Sequence, residues 1–195
     1  MRVHLVQCHP LPESLNAHLA GRIAQWLLER GHDVDRLDLA VHGFSPAMTS
    51  EERRGYYETP FTPPDIAPLQ ERLGAADCLV LVFPTWWFSL PALLKGWFDR
   101  VWSPGFAYGH GTPIKPLLTN LKSVLVVTTL GSPWWIDTLV MRHPVRKVLK
   151  TALIGACAPK AEFRMLSLYA AEAVDAKRLK AFEAKIGKVL AGLPS

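Results

Sequence analysis

The sequence predicts an α/β fold in which one parallel sheet carries helices on both faces. Short apolar runs alternate five times with segments of helical periodicity along the 195 residues, which is the order that strand–helix–strand units require. Two of the runs, CLVLVF and SVLVVTT, are almost entirely apolar, as expected for strands that are buried on both faces. The length suits one domain with a substantial core, so we expect residues 1–195 to form a single unit.

The first half of the chain begins with a strand at Val3–Cys8. Ser14 then opens a helical pattern, and Gly31 ends it. Asp33–Leu39 alternates like a second strand. The polar, proline-rich stretch that follows is predicted to hold two short helices, near Ser50–Tyr57 and Asp65–Ala75.

The second half of the chain holds the most apolar strands, Cys78–Phe83 and Ser123–Thr129, which we expect at or near the centre of the sheet. Pro91–Trp102 between them reads as a helix, because proline suits the first helical position. The remaining elements are a helix, a last strand and a closing amphipathic helix, at Pro144–Ile154, Ala161–Leu168 and Glu172–Leu190. Five strands fit the strand order 2-1-3-4-5 of a flavodoxin-like three-layer sandwich.

Charge and composition narrow the classes of partner. The formal net charge is +5, and no run of five or more Lys and Arg occurs, so we expect no nucleic acid partner. A basic balance favours anionic small molecules such as phosphates. The N-terminal apolar run is too short for a signal peptide, and no segment reaches the roughly 18 apolar residues of a membrane span. We therefore expect a cytoplasmic protein.

The three cysteines, Cys8, Cys78 and Cys157, are far apart and form no CxxC pair. Such spacing predicts buried free thiols in a reducing compartment and no metal site.

Three loops should meet at one edge of this sheet, where ligands bind beyond the carboxyl ends of the strands. The first, HPLPESLN, leads into a helix N-terminus that Ser14 can cap, and His9 and Asn16 add side-chain donors. Free N–H groups and the helix dipole make such a terminus a possible anion site. On this loop alone, a plain capped helix is the more common outcome.

The other two loops are aromatic. PTWWFSLP holds Trp86, Trp87 and Phe88 between two prolines, and it could be either packed core or the wall of a site for a flat ligand. TTLGSPWW offers two threonines and a glycine that permits close backbone approach, followed by Trp134 and Trp135. An anion loop beside two aromatic loops indicates a phosphate-bearing ligand with a flat ring system, such as a flavin nucleotide.

The segment FPTWWFSLPALLKGWFDRVWSPGFAY, residues 83–108, resembles the pattern of the flavodoxin-like NAD(P)H:quinone oxidoreductases, the DT-diaphorase-like family. HPLPESLN and the double threonine with a glycine agree with that family at the proper places. The resemblance implies a homodimer with a flavin in each subunit and sites at the interface. It also implies ping-pong transfer of two electrons from NAD(P)H to quinones or related aromatic acceptors.

The resemblance assigns roles to residues in each loop. The phosphate and ribityl chain would lie against the first loop, at His9, Ser14, Leu15 and Asn16. The isoalloxazine would be bordered by Pro84, Thr85, Trp87 and Phe88, with Trp86 in a variable position of that border. Its other edge would lie against Thr128, Thr129, Leu130 and Gly131. Tyr108 matches a residue that reaches over the neighbouring subunit's pocket.

The loop after the fourth strand departs from the animal enzymes of that family. Ile136 stands where they have a catalytic Tyr, and Arg142 stands where they have a His, with His143 adjacent. Arg142 or His143 is therefore the candidate for positive charge near the flavin. Trp134 and Trp135 are candidates for shaping an apolar substrate pocket.

The resemblance favours FAD as the cofactor, with FMN as the alternative, because the insertion at 41–76 could wrap an adenine. Two other functions fit the same fold. One is a flavodoxin-type electron carrier, which the basic charge disfavours. The other is the ancillary subunit of a potassium efflux system.

Overall fold

The computed structural model describes residues 1–58 and 62–193. Residues 59–61 of the predicted insertion and the last two residues of the predicted domain lie outside these ranges. The strands are β1 Arg2–Gln7, β2 Asp33–Asp38, β3 Cys78–Pro84, β4 Tyr108–Gly109, β5 Lys115–Pro116, β6 Ser123–Thr129 and β7 Glu162–Leu168.

Five of these strands form one parallel sheet in the order β2-β1-β3-β6-β7, and β4 and β5 form a separate antiparallel ribbon. Counted within the main sheet, the order is the predicted 2-1-3-4-5. Every residue of β3 and β6 is buried, because each strand has a neighbour on both sides and helices on both faces. The flavodoxin-like arrangement is confirmed.

The α-helices are α1 Leu15–Glu29, α2 Ser50–Gly55, α3 Ala67–Gly74, α4 Ala92–Val101, α5 Pro144–Lys147, α6 Gly155–Cys157 and α7 Ala176–Ala191. Apolar side chains of α1 and α7 pack on one face of the sheet, in a cluster with Leu5 and Val80. Those of α3, α4 and α5 pack on the other face, in a cluster with Leu81 and Val126.

Three helical segments differ from the sequence prediction. The helix expected at Pro144–Ile154 continues to Cys157 and contains a π-helical turn at Val148–Ile154. The closing helix begins at Ala176 rather than at Glu172, because the Asp175 side chain caps it by accepting the Arg178 N–H at 2.7 Å. A second π-helical turn, Ile136–Val140, was not predicted.

All three cysteines are free and buried, as the sequence predicts. Burial raises the pKa of each thiol, of Cys8, Cys78 and Cys157 alike, to about 11.

The insertion is held against α4 by a buried arginine. Arg100 donates to Glu52 and to Asp65, each at 2.7 Å, and to the Ser45 carbonyl at 2.8 Å. Gly96 of α4 permits Pro46 of the insertion to approach the helix closely, since a Cβ at position 96 would lie 2.3 Å from the Pro46 carbonyl oxygen. Among the described residues, no helix combines the length and the apolar character needed to cross a membrane.

Candidate functional site

The loops that follow β3 and β6 enclose an open cavity at the carboxyl edge of the sheet. Its volume is about 360 Å³, and its walls are Thr85, Trp86, Trp87, Phe88, Leu130, Gly131 and Ser132. Six of these seven residues are among the predicted site residues. Two of the three loops that the sequence placed around one site are therefore brought together at this cavity.

The short aromatic loop after β3 is a tight turn. Trp86 and Ser89 exchange backbone hydrogen bonds, with N···O distances of 3.3 and 2.9 Å. The two central residues, Trp87 and Phe88, have φ angles of 51° and 54°, in the left-handed region that costs a non-glycine residue about 1–2 kcal/mol. Trp87 is nevertheless 96% exposed. A strained backbone that holds an indole in solvent does not serve core packing, so this loop is better explained as the wall of a site.

Threonine hydroxyls join the three loops beneath the cavity. Thr85 and Thr128 share a hydrogen bond of 2.8 Å between their hydroxyls, and the Thr85 N–H donates to the Thr129 carbonyl at 2.8 Å. Asn16, at the start of α1, donates its side-chain N–H to the Thr129 hydroxyl at 3.0 Å. Asn16, Thr85, Thr128 and Thr129, all predicted site residues, thus form one hydrogen-bonded group that connects the three loops. Pro84 directly precedes Thr85 as the last residue of β3.

The first loop presents donors toward the same edge. Ser14 caps α1 by accepting the Ala17 N–H at 3.2 Å. The His9 Nδ1 accepts the Leu11 N–H at 3.1 Å, which puts the proton of the neutral ring on Nε2 and leaves that N–H as a donor. The His9 ring packs edge-on against Trp86, with centroids 5.9 Å apart. The predicted anion loop therefore contacts the aromatic loop.

The loop after β6 is held by the last residue of β7 and by the segment that follows it. The Leu130 N–H donates to the Leu168 carbonyl at 2.9 Å, and the Ala170 N–H donates to the Ser132 carbonyl at 3.0 Å. A Cβ on Gly131 would lie 3.1 Å from a carboxylate oxygen of Glu172. The sequence reading missed Glu172, because nothing near it in the sequence indicates that it reaches Gly131.

The residues predicted for the substrate pocket and for positive charge beside the flavin do not line this cavity. Trp134 and Trp135 follow its wall residue Ser132 and are exposed. Tyr108 lines a separate cavity of about 200 Å³. Arg142 is exposed, with a φ of 57°. His143 lines another cavity, beside β7.

His143 belongs to a hydrogen-bonded group that the sequence reading did not foresee. Its Nδ1 lies 2.8 Å from Oδ2 of Asp137, and the Tyr169 hydroxyl donates to the same oxygen at 2.9 Å. Burial, and then the bond to Asp137, raise the pKa of Tyr169. Asp137 lies in the π-helical turn and Tyr169 directly follows β7, so their 32-residue separation hides the contact from sequence reasoning.

Comparison with known proteins supports the fold and gives relatives. A family model described as "Flavodoxin-like fold" matches residues 1–188. An uncharacterized NAD(P)H oxidoreductase, YcaK of Escherichia coli (strain K12), is 44% identical over 111 residues, which are 56% of this chain and 57% of that protein. NAD(P)H dehydrogenase [quinone] 1 of Rattus norvegicus is 32% identical over 148 residues, which are 67% of this chain and 54% of that protein. The chain thus spans just over half the length of these two relatives.

Among solved structures, the NAD(P)H:quinone oxidoreductase from Methanothermobacter marburgensis superimposes with a TM-score of 0.87. It is 23% identical, and the match covers 100% of this chain and 96% of that one. At that identity the likeness concerns the fold alone. With the family model matching nearly the whole sequence, this chain belongs to the family of proteins with a flavodoxin-like fold.

Proposed function

We propose that this protein is a flavin-dependent NAD(P)H oxidoreductase that reduces quinones or related aromatic acceptors. One observation carries the proposal, namely the convergence of a capped helix start and two loops, one with strained aromatic residues, on one edge of the sheet, where the two loops line an open cavity. The relatives named above are NAD(P)H oxidoreductases, and they favour neither an electron carrier nor a transporter subunit.

The residues at this edge fit a flavin. The cavity of about 360 Å³ falls in the range of roughly 300–1,000 Å³ that small-molecule sites occupy. Among the described residues, Asn16 Oδ1 and Ser132 Oγ are buried without a hydrogen-bond partner. Such orphaned oxygens are costly, and the hydroxyl groups of a ribityl chain would satisfy them.

We assign the phosphate end to the first loop. The first N–H groups of α1, at Leu15 and Asn16, precede any intrahelical acceptor, and the His9 Nε2 proton is free to donate. Trp87 and Phe88, with Thr85 beside them, would border the ring system. Thr128, Thr129, Leu130 and Gly131 would lie along its other edge. FAD is the flavin that we expect, with FMN as the alternative, and mass spectrometry of the released cofactor distinguishes them.

A bound flavin would supply the redox centre, accepting a hydride from NAD(P)H and passing two electrons to the acceptor. The chain's own part is to bind and orient. The exposed Trp87 indole offers a flat surface to a planar ring. Leu130, Trp86 and Trp87 would keep water from one side of that ring. Because the loops after β3 and β6 line one shared cavity, nicotinamide and acceptor would use it in turn, which predicts ping-pong kinetics.

We further propose a homodimer in the cytoplasm. The cavity between the loops after β3 and β6 is called the redox cavity from here on. Tyr108 does not line this cavity but lies on the β4–β5 ribbon, beside Tyr56 and Ile114. Its position supports the idea that it reaches the partner's pocket. Trp134 and Trp135 are exposed in the single subunit and would then close the pocket at the interface. The expectation that Arg142 or His143 supplies positive charge beside the flavin stays a prediction.

Purified protein tests the proposal directly. It should be yellow, should lose its flavin absorbance when NADH or NADPH is added without oxygen, and should regain it on addition of a quinone. Light scattering of the same sample should give twice the subunit mass. A colourless protein that takes up neither FMN nor FAD would overturn the proposal, and reduction too slow for turnover would favour the electron carrier.

A further inference from the structure

A second cavity lies beside β7, at the open edge of the main sheet. Its volume is about 340 Å³, and its lining includes His143, Arg146, Ser167, Tyr169 and Lys185. Because β7 is the last strand of the sheet, part of its backbone N–H groups point outward, toward no further strand. The cavity therefore combines cationic side chains with hydroxyl and backbone donors.

The positive groups come from helices on opposite faces of the sheet. Arg146, on α5, lies with its guanidinium carbon 5.5 Å from the centre of the Phe163 ring, so its direction is set by stacking. Lys185 extends from α7 on the other side of the strand. His143 is fixed through Nδ1 by Asp137, and this leaves its Nε2 unused by the contact.

One carboxylate is bonded to the residues of the cavity wall. Asp137 is 6% exposed and lies behind His143 and Tyr169, which both bond to it. The lining itself contains no Asp or Glu among the described residues. The segment between Asp137 and β7, residues 138–161, carries five Lys and Arg and no acidic residue. The local field thus favours an anion.

The second cavity adjoins the redox cavity. Ser132 lines the first and Tyr169 lines the second. The residue after Tyr169, Ala170, donates its N–H to the Ser132 carbonyl at 3.0 Å. A single hydrogen-bonded pair of loop residues therefore separates the two. A dinucleotide whose nicotinamide lay in the redox cavity would have to extend past this pair of residues to bring its phosphates to Arg146 and Lys185.

We propose that the cavity formed by His143, Arg146 and Lys185 beside β7 binds a phosphate group of the nicotinamide dinucleotide. This inference rests on the proposed function. Two phosphates share the required chemistry, namely the 2′-phosphate that only NADPH carries and the diphosphate that NADH also carries. Binding at the 2′-phosphate would make the enzyme prefer NADPH.

Calorimetry on the flavin-loaded protein tests the site without turnover. The probes are adenosine 2′,5′-bisphosphate and 5′-AMP, titrated into the wild type and into Lys185→Ala and Arg146→Gln. Loss of one charge-assisted contact corresponds to roughly a tenfold rise in Kd. Lys185→Ala removes only an exposed side chain, and Arg146 is half-buried and is replaced by a shorter polar side chain, so both variants should fold. Lys188→Ala and Lys147→Ala, one turn or one residue away and outside the lining, are the matched controls.

The dissociation constants of the two probes either support the phosphate site or overturn it. A rise of about tenfold for the bisphosphate alone in the two cavity variants, with unchanged controls, supports the site and assigns it to the 2′-phosphate. An equal rise for both probes supports the site and assigns it to the diphosphate end. Binding that the cavity variants leave unchanged, or no binding at millimolar concentration, overturns the inference. Failure of the proposed function appears elsewhere, as a protein that retains no flavin or that NAD(P)H does not reduce.

Discussion

The two aromatic loops at the carboxyl edge reach a fixed shape by different means. The loop after β3 closes within four residues, through the hydrogen bonds between Trp86 and Ser89. The loop after β6 runs to His143 and is held from a distance, through the bonds of Asp137 to Tyr169 and of Leu130 to Leu168. The loop after β3 has a strained backbone but is closed by its own residues, whereas the shape of the loop after β6 depends on the end of β7.

The difference has a consequence for how each loop responds to change. Only changes at the short loop's own two central residues should alter its shape. The long loop should loosen when a residue elsewhere, such as Tyr169, is replaced. The following predictions test this contrast, from the largest expected effect to the smallest.

The largest effect should come from Asp137 in the long loop. Asp137→Ala removes a buried acceptor and leaves His143 Nδ1 and the Tyr169 hydroxyl unpaired, so the free energy of unfolding should fall by about 3 kcal/mol. Urea denaturation measures this. Asp137→Asn, which keeps an acceptor, should cost less than half as much. An unchanged midpoint in the Ala variant would show that the buried carboxylate does not hold the loop.

The second effect concerns flavin binding at the short loop. Trp87→Ala should weaken flavin retention by about 2 kcal/mol, which is roughly thirtyfold in Kd, because it removes an aromatic surface from the ring's border. Trp86→Ala, at the variable position, should change it by less than about threefold. Fluorescence titration of the apoprotein measures both. Equal and small effects would remove the short loop from the site.

The backbone strain of the short loop gives a third test. The Trp87 side chain is almost wholly exposed, so Trp87→Ala and Trp87→Gly both lose little packing. Glycine tolerates the φ of 51°, and we expect the Gly variant to be more stable than the Ala variant by about 1 kcal/mol. Thermal unfolding of the two apoproteins compares them. Equal stabilities would indicate that the turn relaxes without cost.

Alkaline pH should affect the long loop through Tyr169. Its pKa is raised from the usual 10.0, first by burial and then by Asp137, so the unfolded chain releases the proton at lower pH than the folded one. The stability that Tyr169 contributes is complete below pH 10 and is lost as pH rises through the higher folded value. The free energies of unfolding of the wild type and of Tyr169→Phe should therefore converge as the pH rises above 10. A gap that stays constant would contradict the role of this hydroxyl.

The sequence predicted the sheet, its strand order and the short loop's place because their signals are local. Apolar runs mark β3 and β6, and Ser14 caps α1 as expected. It could not show the positive φ angles of Trp87 and Phe88, since tight turns of this kind usually carry Asn or Gly. It also missed Asp137, Tyr169 and Glu172, because these residues meet the site only through the pairing of β6 with β7.

The buried cysteines bear on the chemistry of the proposed acceptors. Quinones are electrophiles that add to thiolates, so a protein that handles them risks alkylation of its own side chains. Raising a thiol pKa from 9.0 to about 11 lowers its thiolate fraction near neutral pH about a hundredfold. With Cys8, Cys78 and Cys157 also shielded from solvent, the fold protects the protein from covalent damage by the molecules that it is proposed to reduce.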